Sequence, residues 1–141
     1  RLSNVSASIG LGQLEVLQDR VNTRRNIFNF YKKRLSEIKE ISFLEEIDGF
    51  RSNRWLTTIL ISKDSRISRE ELRLFLEEDK IESRPFWKPM HMQPIFKNYP
   101  AYGGSNSEYL FNYGLCLPSG SNMSDEDLSR IVNKIKQAFE N

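Results

Sequence analysis

The sequence predicts an α+β domain: a small, mainly antiparallel sheet packed with helices, preceded by a long N-terminal helix. Three observations carry this. Residues from about 4 to 39 hold apolar side chains at helical spacing. Short apolar runs follow, two of them separated by a turn rather than a long crossover, which favours antiparallel pairing. Two later segments open on Ser-x-x-Glu, the reciprocal cap of a helix N-terminus.

In the first segment Leu14, Leu17, Val21, Phe28, Tyr31, Leu35 and Ile38 form one stripe, and Gln18, Arg25, Asn29, Lys32 and Lys33 lie opposite. Its start is different in kind. Ser6, Ala7, Ser8, Gly10 and Gly12 are small, and glycine costs about 1 kcal/mol inside a helix. Such a face either packs closely on another backbone or is a loosely formed helix start. Ile41 to Ile47 reads as a strand, with a turn at Asp48-Gly49. Residues 55 to 62, WLTTILIS, form the clearest strand, apolar on both faces and so expected at the sheet centre.

Ser68 and Glu71 make a capping box, and Ile67 with Leu72 a hydrophobic staple, so a helix runs from Ser68 to Asp79 or Lys80. Ile81 to Arg84 then runs as an edge strand that Pro85 stops. From Ser83 to Pro94 the chain has three prolines, Phe86, Trp87, two cations and its one histidine, His91. Each proline fixes φ and removes an N–H, so this reads as a stiff loop displaying Trp87, Lys88 and His91. Ser105 and Glu108 repeat the capping box and predict a short helix ending at Gly114. Leu115-Cys116-Leu117 is a short strand. Ser124 caps the last helix, whose stripe is Leu128, Ile131, Val132, Ile135 and Phe139.

A length of 141 residues matches one domain, and 38% hydrophobic residues supply a core and argue against disorder. The 21 cations and 19 anions nearly cancel, so charge gives no push toward nucleic acid. A single cysteine excludes an internal disulfide and fits a reducing, cytoplasmic setting. No apolar run reaches the roughly 18 residues of a membrane span, and no signal peptide is visible. The chain opens at Arg1 rather than Met and is read as a fragment or a processed product.

The chemistry-bearing residues are few. One His and one Cys match no zinc spacing. Cys116 and His91 can be drawn as a hydrolase pair, but a cysteine between two leucines in a strand reads as buried and structural. His91 is the best single candidate for acid, base or hydrogen-bond work, with a purely structural role as the alternative. Arg84 and Lys88 suit phosphate. Trp87 and Phe86 either stack on a ring or fill the core. Cations along the first helix are interleaved with acids. They read as a solvated face, with a non-enzymatic nucleotide- or RNA-binding module as the competing interpretation.

Three blocks resemble a known family: RLSNVxAxIGLGQLE (Arg1 to Glu15), SRPFWKPMHMQPIF (Ser83 to Phe96) and SEYLFNYGLCLPSG (Ser107 to Gly120). They are similar to the C-terminal part of nucleotide-sugar aminotransferases, which are pyridoxal phosphate enzymes of the aspartate-aminotransferase fold. The nearest resemblance is to members that aminate UDP-4-keto-6-deoxy-N-acetylhexosamines, as in bacillosamine synthesis. The resemblance implies that residues 1–141 are the small C-terminal domain of such an enzyme. The large domain, with the Schiff-base lysine and most pyridoxal phosphate contacts, would lie outside this chain. No residue here is then catalytic or cofactor-binding, and the isolated chain is expected to be inactive. It further implies a homodimer, a nucleotide-sugar substrate and glutamate as amino donor. Arg1 matches a family arginine that approaches the sugar nucleotide across the dimer interface, and Trp87, Lys88 and His91 match the loop bordering the substrate.

Overall fold

The computed structural model describes residues 2–140. Its elements are α1 (Asn4–Glu15), α2 (Leu17–Leu35), β1 (Ile41–Phe43), β2 (Thr57–Ile61), α3 (Arg69–Glu78), β3 (Arg84–Pro85), α4 (Ser105–Tyr113), β4 (Gly114–Leu117) and α5 (Asp125–Glu140). Two single 3-10 turns, Met90–Met92 and Pro94–Phe96, stand between β3 and α4.

The four strands form one sheet in the order β1-β2-β4-β3, and every neighbouring pair is antiparallel. Ile59 sits opposite Phe43 on one side and Leu115 on the other, so β2 is central as the sequence predicts. The strands are shorter than expected. The first ends at Phe43 rather than Ile47, and the second starts at Thr57 rather than Trp55. Of the expected edge strand, only Arg84 pairs with β4, joined by Pro85. Residues 81–83 diverge from β4 because Ile81 turns inward to the core and Ser83 is buried as well.

One face of the sheet carries the core. Thr57, Ile59 and Ile61 of β2 point there with Leu115 and Leu117 of β4. Onto them pack Ile27, Tyr31 and Leu35 of α2, Leu72 and Leu76 of α3, and the full predicted stripe of α5 plus Ala138. Each such Leu or Ile contributes about 1.5–3 kcal/mol on leaving water. The caps of α3 and α5 are set as the sequence predicts. Ser68 Oγ accepts from the Glu71 amide at 3.2 Å while Glu71 accepts from the Ser68 amide at 2.7 Å. At α5, Ser124 and Asp127 exchange the same pair of bonds. α4 lies on the other face, against β2 and β4.

The N-terminal helix is not continuous. Val16 (φ −106°, ψ 4°) leaves the helical basin and divides it into α1 and α2. Leu14 and Leu17, expected in the buried stripe, are 65% and 51% exposed. The stripe is buried only from Ile27 onward, where α2 meets α5 and the sheet. Upstream nothing among the described residues buries it: α1 buries no residue, and Leu2, Val5, Ile9 and Leu11 stand in solvent. Without tertiary packing, helical stability rests on local propensity, which Gly10 and Gly12 lower. Amide exchange across Ser3 to Gly12 in the 141-residue chain is therefore expected to be fast; strong protection there would contradict this account.

One polar group sits oddly in the core. Thr57 is fully buried and its Oγ1 finds no hydrogen-bond partner among the described residues. An unpaired buried hydroxyl costs about 1–3 kcal/mol. Thr57→Val keeps the shape and removes that cost, so the urea midpoint is expected to rise by an amount worth about 1 kcal/mol. A fall in the midpoint would show that the hydroxyl is satisfied.

Candidate functional site

The loop predicted from Ser83 to Pro94 is ordered by its own backbone. After β3, the Phe86 amide donates to the Gly114 carbonyl at 3.3 Å. The Phe86 ring lies on Gly114 so closely that a Cβ there would stand 2.6 Å from its Cγ and 2.4 Å from the Leu110 carbonyl oxygen. Gly114 is required for that approach, not for a left-handed cap: its φ is −90° and it opens β4 directly. Met92 then donates to Pro89 and Gln93 to Met90, both at 3.0 Å, closing a 3-10 turn where the sequence predicts only a loop.

The displayed residues point to different places. Trp87 is 67% exposed and leans on Trp55, with ring centroids 6.0 Å apart at 34°. These two indoles stand at a cleft of about 680 Å³ that opens where residues 81–83 diverge from β4. Lys80, Arg84, Ser119 and Arg130 also line it. Arg84 pairs there with Glu82 through its Nε at 2.7 Å, and Arg130 donates to the Asp79 carbonyl. Lys88 and His91 do not line the cleft. Lys88 is exposed, its carbonyl receiving Gln93 Nε2 at 3.4 Å.

His91 faces α4 instead. Its Nε2 lies 2.7 Å from Glu108 Oε1. This replaces the predicted capping box: Gly104, at φ 109°, is the N-cap residue, Ser105 is already helical, and the Glu108 carboxylate is turned to the imidazole. Arg1 lies outside the described residues. The structure thus brings Trp87 to Trp55 and His91 to Glu108, and does not bring Trp87, Lys88 and His91 onto one pocket wall.

Trp55 was not legible as a site residue, because WLTTILIS reads as uninterrupted strand. Its position comes from a network on the 44–56 segment. Arg25 holds Glu46 through two bonds of 2.6 and 2.9 Å, and the Ser52 amide donates to the same carboxylate at 2.6 Å. Arg54, buried and at φ 48°, donates to the Leu44 carbonyl and lies 3.7 Å from the Phe28 ring centroid. Arg24 donates to the Trp55 carbonyl at 2.8 Å. Cations that read as a solvated helix face are in this way spent on an adjoining loop.

The Cys–His arrangement is not built. Cys116 is buried in β4 and burial pushes its thiol up, while His91 Nε2 is taken by Glu108. Nor do the described residues fit pyridoxal phosphate. The N-termini of α3 and α5, where a phosphate would otherwise bind, are filled by Glu71 and Asp127. The partly covered amine of Lys134 pairs with Asp79 at 3.1 Å over the Phe75 ring. No chemical step through that cofactor is assigned to these residues.

The profile of the DegT/DnrJ/EryC1/StrS aminotransferase family matches residues 1–136, and the chain belongs to that family. It is 43% identical to EpsN of Bacillus subtilis, assigned as a pyridoxal phosphate-dependent aminotransferase, over 99% of this chain and 36% of EpsN. It is 32% identical to GDP-perosamine synthase of Vibrio cholerae, over 99% of this chain and 38% of that protein. The crystal structure of a DegT DnrJ EryC1 StrS aminotransferase from Brucella abortus superposes with a TM-score of 0.84 at 27% identity, over all of this chain and 37% of that one. The chain therefore spans little more than a third of the length of the relatives it matches. No helix among the described residues is long and apolar enough to cross a membrane.

The Glu46 carboxyl is held down to about 2, first by the hydrogen bond from Arg25 and then by the Ser52 amide. Its folded value lies below the ordinary 4.5, so its stabilisation is present above about pH 4.5 and is lost as pH falls toward about 2. Glu46→Gln is expected to lower the urea midpoint at neutral pH and to flatten its decline between about pH 5 and 2.5. An unchanged acid decline would remove Glu46 from the cause.

Proposed function

We propose that the complete protein is a pyridoxal phosphate-dependent aminotransferase that passes an amino group, from glutamate, to a keto sugar carried on a nucleotide. The product would serve polysaccharide biosynthesis, and residues 1–141 would be the small C-terminal domain of a cytoplasmic homodimer. The observation that carries this is the family match across residues 1–136 of a chain that spans little more than a third of its relatives' length. A domain of this kind contributes substrate contacts and closure while the cofactor chemistry sits in the remainder of the protein. UDP-linked 4-keto-6-deoxy sugars are the preferred substrates in this reading, on the strength of the Ser83 to Phe96 and Ser107 to Gly120 blocks.

Arg1, Trp87, Lys88 and His91 are proposed as the substrate contacts. The exposed indole of Trp87 offers a stacking face. Lys88 offers a solvent-facing cation to the diphosphate, and His91 a ring fixed in orientation. The bare face of α1 has a natural role here, as a seat for the large domain or the second subunit. It is apolar and lined with small residues, and nothing within the described chain covers it.

The complete gene product, loaded with pyridoxal phosphate, is expected to release 2-oxoglutarate from glutamate only when a UDP-4-keto-6-deoxy-N-acetylhexosamine is supplied. The 141-residue chain under the same conditions is expected to release none. Turnover by the short chain, or none by the complete protein with any nucleotide-linked keto sugar, would overturn the proposal.

A further inference from the structure

The pairing of His91 with Glu108 has features beyond a surface salt bridge. The carboxylate comes from the first turn of α4, where the helix dipole favours a negative charge. The same turn supplies the wall behind the ring. A Cβ on Gly104 would stand 2.8 Å from His91 Cε1 and 3.2 Å from Nε2, so only glycine leaves room for the imidazole, and its φ of 109° suits glycine as well. Glu108 and Gly104 are tied together, the Glu108 amide donating to the Gly104 carbonyl at 2.9 Å and Ser107 Oγ donating to it at 2.8 Å. From the other side, the 3-10 turn at Met90–Met92 fixes the backbone that carries the ring. Glu108 gives up the capping bond its Ser-x-x-Glu spacing predicts in order to reach Nε2. A local rule broken in favour of one side-chain contact marks a position where function sets the geometry.

We propose that Glu108 is the positioning residue of His91. Its Oε1 accepts a hydrogen bond from Nε2–H, so the neutral ring is held in the Nε2–H tautomer and Nδ1 keeps its lone pair. Nδ1 has no hydrogen-bond partner among the described residues and is available to accept from a ligand donor, a sugar hydroxyl or amide N–H. This rests on the reading that the Ser83 to Phe96 segment borders a nucleotide sugar.

The test uses the complete protein. Long-range 15N imidazole spectra, with the His91 signal identified by its loss in His91→Asn, should show Nε2 protonated and Nδ1 bare in the neutral ring. Glu108→Gln, whose amide both donates and accepts, should abolish that preference. It should raise KM for the nucleotide sugar about tenfold, more than it lowers kcat, as expected for one lost hydrogen bond. Glu108→Asp should restore part of both. Protonation on Nδ1 in the unaltered protein would overturn the proposal, and so would an unchanged tautomer in Glu108→Gln. A changed tautomer with unchanged KM would reduce the pair to a structural brace and overturn it too. If the unaltered protein aminates no nucleotide-linked sugar, the aminotransferase reading fails. The tautomer, with calorimetric affinity for the nucleotide sugar in place of KM, still decides the role of Glu108.

Discussion

Four residues, Gly114 to Leu117, hold the molecule together. β4 is bonded on both edges and buried on both faces. On the core side, Leu115 and Leu117 meet the helices; on the other, Gly114 lies against Leu110 of α4 and the Phe86 ring, and Cys116 lines the cleft. Everything that gives the molecule a functional surface hangs from its ends. At the start, Gly114 admits the Phe86 ring and so fixes where the proline-rich segment leaves the sheet. At its exit, Ser119 Oγ accepts from the Thr57 amide at 2.8 Å and donates to the Leu117 carbonyl at 2.9 Å, while Tyr31 donates to the Pro118 carbonyl at 3.0 Å. Burial pushes the Tyr31 phenol well up, so that bond persists throughout the working pH range.

From this strand two differently constrained surfaces follow. The cleft beside Trp55 and Trp87 exists because residues 81–83 run toward the core and only the two residues after them pair with β4. It is broad, and two of the cations on its rim, Arg84 and Arg130, already have local partners. The His91 position is narrow and fully specified, by a carboxylate on one nitrogen and a glycine behind the ring. The first surface suits tolerant stacking and the second suits a directed hydrogen bond.

Much of the fold was legible because it is written in local rules. The α5 stripe and the Ser68 and Ser124 caps need only residues three or four apart, and all appear as read. Two local readings failed, one to a distant partner and one for want of any partner. Glu108 left its cap for His91, seventeen residues away. The apolar spacing through Leu14 and Leu17 implied one buried helix face, but periodicity says that a face exists and not what covers it. Trp87 and His91 were legible as candidates from composition alone, whereas Trp55 was hidden inside a strand pattern and Glu108 inside a capping pattern.

By itself, the sequence determined the α+β class and the caps of α3 and α5, because each depends on residue type at short spacing, and three motif blocks carried the resemblance to the family. Only the tertiary structure decided the strand order β1-β2-β4-β3, the break at Val16, the stacking of Trp55 on Trp87 and the partner of His91. Those are choices among chemically similar partners far apart in the chain. Backbone geometry and packing around β4 select among them, and no short pattern encodes that selection.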